Sequence, residues 1–138
     1  MRKGKRIILW VMIACLVLVF AGCGEEEPKV DPSSVEKHDL TNVSELGSLS
    51  KGKYYVFDAV FWTTSSNKYS YVFNCYLEGE EHANAFHVKD ATGGDMDFLK
   101  KYSFQDKKEV RITAEFVETE KTEKQTIYKF KCIEIKEK

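Results

Sequence analysis

Three groups of side chains in this 138-residue chain could do chemistry, and each needs particular neighbours to do it. His82 and His87 lie close to Glu78, Glu80 and Glu81, all types that ligate metals. A zinc site needs three or four ligands converging on one point. Five residues apart on an extended chain, the two imidazoles point to opposite faces, so no metal site is expected. Asp90, Asp95 and Asp97 surround Gly93-Gly94 without the spacing of a calcium loop, and Asp95 reads better as a helix N-cap. Cys75 and Cys132 have no CxxC motif and no paired histidine beside them, which argues against a catalytic thiol. They are either a disulfide of an exported chain or two reduced thiols buried as small apolar residues. No cofactor and no enzymatic activity are expected.

A fourth group sits at the N-terminus. Arg2, Lys3, Lys5 and Arg6 precede 14 uncharged residues, 7–20, and then come Ala21, Gly22 and Cys23. A basic start, a short apolar run and small residues before a cleavage point describe a secretory signal. The run is short of the roughly 20 apolar residues that span a bilayer. The whole chain carries a formal charge of −1. Residues 1–22 hold four bases and no acids, so a chain beginning at Cys23 has 17 bases, 22 acids and a charge of −5. Arg111 is its only arginine.

The elements follow from hydrophobic period and punctuation. Residues 24–37 hold both prolines with acids and serines and read as a flexible tether. Residues 38–138 then form a single domain of ordinary hydrophobicity. Asn42 and Glu45 suggest a capped helical turn, with Val43, Leu46 and Leu49 on its apolar side. Residues 54–62, 69–77, 85–89, 110–117 and 127–135 read as strands, and 95–102 as a helix with acids first and lysines last. In the second strand Tyr69, Tyr71, Phe73, Cys75 and Leu77 share one face. Ile133 and Ile135 fall out of phase with Tyr128, Phe130 and Cys132, which predicts a bulge or a covered outer face. Nucleic-acid binders need a basic groove with stacked aromatics. Here Tyr55, Phe57, Phe61, Tyr69, Tyr71 and Phe73 occupy core-like positions and the domain is acidic, which argues against that partner.

Phe20-Ala21-Gly22-Cys23 resembles the lipobox of bacterial lipoproteins, with phenylalanine where leucine is usual. The resemblance implies cleavage before Cys23, lipid on its thiol, and anchoring outside the cytoplasmic membrane. The order strand, strand, strand, helix, strand, strand is that of the OB-fold, a five-stranded Greek-key barrel with a helix between strands three and four. Over about residues 40–138 the chain is similar to the tRNA_anti-like OB domains of small secreted bacterial proteins. The similarity lies in Lys51-Gly52-Lys53 entering strand one, Val110-Arg111-Ile112 entering strand four, and Phe130-Lys131-Cys132-Ile133 in strand five. First strands of that fold often carry a glycine where they bend, and residues 54–62 have none. The resemblance implies a binding surface across strands two and three: Asn74, Tyr76, His87 and Lys89, with Trp62 at the turn. Such aromatic and amide groups suit sugars or peptides. The functional expectation is a membrane-anchored, non-enzymatic binding or adaptor module for a protein or small ligand. An inhibitor or envelope-stress protein that docks a partner enzyme through its loops is the alternative.

Overall fold

A computed structural model describes residues 28–138. Residues 1–22, read above as a secretory signal, and Cys23, read as a lipidation point, lie outside the described residues. Six strands follow in order: β1 (Lys37–Asp39), β2 (Tyr54–Thr64), β3 (Tyr71–Cys75), β4 (Asn84–Asp90), β5 (Glu109–Lys121) and β6 (Thr126–Glu137). Strands β2-β3-β4-β6-β5 pair in that order, and β5 returns to pair with β2, closing a five-stranded barrel. Every contact in the ring is antiparallel except β4 with β6. The protein is therefore an OB-fold barrel, mainly β.

Alternation builds the core. Tyr55, Phe57, Ala59 and Phe61 of β2 point inward, as do Tyr71, Phe73 and Cys75 of β3 and Phe86 and Val88 of β4. Phe57, Phe86 and Phe130 meet with ring centroids 4.9–5.0 Å apart, and Phe116 lies 5.4 Å from Phe130. Offset and edge-on rings at such distances add to the burial energy. All six aromatics assigned to the core from sequence are buried.

Three register shifts, at Trp62 of β2, Val117 of β5 and Ile133 of β6, interrupt the barrel ladders, and two of them concern residues marked in the sequence. Phe61 pairs with Phe73 and Thr63 with Val72, so Trp62 is an extra residue in β2. That bulge bends the strand where a glycine was missing, and it turns the indole outward. Thr113 pairs with Glu134 and Ala114 with Cys132, which leaves Ile133 as the extra residue of β6. The out-of-phase isoleucine predicted this bulge.

The connection from β4 to β5 closes the end of the barrel where β2, β4 and β6 finish. Its helical part is a 3-10 turn over Asp97–Lys101 followed by a second over Phe104–Asp106. Met96 and Leu99 are fully buried and fill the barrel mouth. Asp95 is not the cap. Its N–H donates to the Thr92 hydroxyl, and Met96 precedes the first turn without a side-chain cap. The Tyr71 hydroxyl donates to Asp97 Oδ1 at 3.1 Å and ties the turn to β3.

The segment before the barrel is also placed. Asp31 caps a 3-10 turn over Pro32–Ser34, and β1 then pairs in parallel with the first residues of β2. Residues 28–36, expected to be flexible tether, lie against the barrel at least in part: Lys29 to Pro32 share the walls of one cleft with Thr92, Ile133 and Ile135.

Candidate functional site

Strand β2 has different neighbours along its length. Tyr54 to Val56 pair with β1, and β3 joins only at Val60. The interval between them opens a groove of about 420 Å³ beside Asp58. Asp39, Leu40 and Thr41 form one wall, Tyr76 and Leu77 the other, and Asp58 and Arg111 the polar floor. Beyond Tyr76 the groove continues as a smaller cleft of about 160 Å³, where Asp58 and Tyr76 are joined by Val60, Glu109 and Lys138. Tyr76 is 67% exposed and stands between the two parts.

The floor is an anion held by two cations. Asp58 and Arg111 are direct partners across β2 and β5. Arg111 donates Nε to Asp58 Oδ1 at 2.8 Å and Nη2 to Oδ2 at 3.2 Å, a two-point contact. Lys138 Nζ reaches the same Oδ2 at 2.9 Å. The Arg111 hydrogen bonds, with help from Lys138, hold the Asp58 carboxyl down at about 2. A carboxylate displaced that far from neutrality is a fixed charge, suited to recognition and poorly suited to moving protons. Arg111 keeps the remaining N–H groups of its guanidinium available to a ligand.

Beneath the groove, Cys75 donates its thiol to the Asp58 carbonyl at 3.2 Å. Burial pushes this thiol up to about 12, so it stays protonated and able to donate. Cys132 is buried too, its thiol pushed up by desolvation and donated to the Glu134 carbonyl. The two are free thiols, and the candidate disulfide is not formed. The register explains why. Cys75 pairs with Asn84 at one end of β4 and Cys132 with Asp90 at the other, six residues or about 20 Å along the strand.

The walls are fixed by backbone bonds. Glu78 N–H donates to the Thr41 carbonyl, and Val43 N–H donates to the Glu78 carbonyl. Gly79 follows with φ 86°, and a β-carbon there would sit 3.2 Å from Val43 Cγ1. Asn42 Oδ1 accepts from Ser44 N–H, and Glu45 accepts from Thr41 N–H, one residue earlier than in the expected capping box.

The structure divides the five surface residues expected to bind. Tyr76 is in the groove. Asn74 lies on the same face of β3, opposite Val60 and Ala85. His87 sits further along β4 between Val72 and Lys129, and burial lowers its pKa, so it is neutral at pH 7. Lys89 is half-buried beside Lys131. Trp62 is at the closed end of the barrel, stacked on Phe104. Asp58 and Arg111 were not singled out for binding. Their signal was present: the one acid in an otherwise apolar strand and the one arginine after residue 22.

Where β5 meets β6, a lysine at the Tyr69 ring is held by two glutamates. Lys129 Nζ lies 3.1 Å from both Glu118 and Glu120, and 5.5 Å above the buried ring of Tyr69. Its side chain is only 19% exposed. Among the described residues, no group of three or more His, Cys, Asp or Glu could hold a metal ion, and no helix is long and apolar enough to cross a membrane.

No protein-family model matches the sequence, and no curated protein matches it. Among solved structures the chain is similar to one described as an aspartyl-tRNA synthetase from Leishmania major Friedlin, at 18% identity and a TM-score of 0.46. The alignment covers 91% of this chain and 26% of that one, so this chain spans about a quarter of its length.

Proposed function

We propose that this protein is a lipid-anchored, extracytoplasmic binding module of bacterial type, in which the barrel presents the Tyr76 groove to a polar ligand or an extended peptide segment. What supports binding is the groove itself: a rigid-walled opening with an ion-paired floor and one exposed phenol ring. An aromatic body with a polar tip over fixed hydrogen-bonding groups is a common recipe for recognising sugars and peptides. What supports the anchor is the sequence before residue 24, with its basic start, its short apolar run and Ala21-Gly22-Cys23.

Nucleic acid is a poor partner on this reading. The lysine best placed on the β4–β6 face is neutralised by two glutamates, and the nearby Tyr69 ring is buried where stacking would need it open.

Affinity capture from detergent-solubilised membranes tests the groove. A double variant Tyr76→Ala and Arg111→Gln is expected to lose whatever the wild type retains, while His87→Ala keeps it. Equal capture by all three proteins would remove the groove from the account. Mass spectrometry of the mature N-terminus tests the anchor, with a diacylglyceryl-modified Cys23 as the expected result.

A further inference from the structure

We propose that the closed end of the barrel is a membrane-docking face, with Trp62 and Phe104 seated in the headgroup layer of the bilayer that holds the anchor. This rests on the lipid-anchored reading above.

The two rings are the first observation. Trp62 is 44% exposed and Phe104 49%, and their centroids are 5.0 Å apart. The β2 bulge turns the indole out of the barrel, and the 3-10 turn over Phe104–Asp106 carries the phenylalanine to meet it. Phe61 N–H donates to the Lys108 carbonyl at 2.8 Å and locks that connection onto β2. An indole beside a second ring at a wet surface matches the preference of tryptophan for the membrane–water interface.

The second observation is where the chain leaves the barrel. Lys29 is packed on Gly93: a β-carbon at Gly93 would lie 2.7 Å from Lys29 Cε. Gly93 belongs to the same connection that carries Phe104 and closes the same end of the barrel. Only residues 24–28 separate Lys29 from Cys23, a reach of about 20 Å even when fully extended. A lipid on Cys23 therefore holds this end close to the bilayer.

The third observation is the charge around the rings. Lys101 and Lys107 flank Phe104, are exposed, and make no ion pair among the described residues. Nearby, Asp97 pairs with Lys100, and Asp106 accepts from the Ser103 backbone N–H and keeps its charge. Lys107 can face an anionic lipid surface directly, and Lys101, whose ammonium lies 5.2 Å from the Tyr102 ring centroid, is exposed beside it.

Trp62 reports on this directly, because Trp10, the only other tryptophan, precedes the proposed cleavage point. The protein is expressed from the full sequence with Trp10→Phe and purified from cell membranes in the form the cell makes. It is then reconstituted with phosphatidylcholine vesicles, with and without phosphatidylglycerol, using plain or brominated acyl chains. Trp62 emission is expected to shift to shorter wavelength and to fall at least twofold with brominated lipid. Lys101→Glu with Lys107→Glu is expected to remove most of the extra quenching seen with phosphatidylglycerol, at unchanged circular dichroism. Vesicle-bound protein whose Trp62 emission is the same with plain and brominated lipid overturns the docking face and leaves the anchor intact. The mass of the Cys23 peptide from cells is read separately. A bare thiol there, with Trp62 still quenched on vesicles, overturns the anchor and leaves the docking face standing.

Discussion

Two charge clusters near the two ends of β5 are built as opposites. In the groove one anion, Asp58, lies between two cations, Arg111 and Lys138. On the β4–β6 face one cation, Lys129, lies between two anions, Glu118 and Glu120. The packing around them differs as much as the sign. Lys129 places its ammonium over the Tyr69 ring and is largely covered, whereas Asp58 and Arg111 stay open to the groove. On the proposed reading the ligand enters where β2 changes neighbours from β1 to β3, rather than across the β3–β4 face. Strand pairing, more than residue composition, decides where this barrel can accept a ligand.

The largest effect is expected from the groove wall. Leu77 is buried behind Tyr76, and Leu77→Ala should cost about 2–4 kcal/mol through lost burial and the cavity left behind. Chemical denaturation should show a lower midpoint at unchanged slope, and binding should weaken with it. Gly79→Ala should cost about 1–3 kcal/mol, because φ 86° is strained for alanine and the new methyl meets Val43. Lys107 shows the converse, with φ 48° on a non-glycine residue. Lys107→Gly should stabilise by about 1 kcal/mol, read as a raised melting temperature.

The two clusters should also fail at opposite ends of the pH scale. Asp58 titrates at about 2 in the folded protein against an ordinary value of 3.8, so its contribution is complete above pH 4 and is lost as pH falls toward 2. The pair is exposed, so Asp58→Asn should cost less than about 1 kcal/mol at neutral pH while flattening part of the acid limb of a stability–pH curve. Lys129 is shifted upward by its two glutamates, so its contribution is complete below its ordinary value of 10.5 and fades as pH rises beyond it. Lys129→Met should leave the acid limb untouched and flatten part of the alkaline one. Tyr71, pushed up to about 12 by burial, contributes to the same alkaline limb and is separated by Tyr71→Phe. The smallest effect concerns the thiols. Cys75 and Cys132 should resist a thiol reagent at pH 8 in the folded protein and both react on unfolding, since burial keeps them protonated.

The barrel was legible in the sequence wherever one face is wet. Alternation in residues 69–77 placed five buried side chains correctly, and the phase slip at Ile133 announced its bulge. What escaped was set by partners distant in sequence. Strand β1 is three residues long and exists because β2 offers it an edge, so nothing in Lys37–Asp39 marks it. The segment after β4 carries helix-like charges, yet Gly93, Gly94 and the short reach to β5 allow only 3-10 turns. Asp58 and Arg111 are 53 residues apart, and only the β2–β5 register brings them together. Tyr76 was recognisable as an outward aromatic, but the groove beside it depends on where β1 stops and β3 begins.

The comparison of the two faces comes down to a single measurement. A photo-reactive phenylalanine analogue is placed at position 76 in one full-length protein and at position 87 in another, and each is irradiated in intact cells. The groove account predicts a discrete crosslinked product from position 76 that is lost on adding Arg111→Gln, and none from position 87. A product from position 87 with none from position 76 would contradict it and return the binding site to the β4–β6 face.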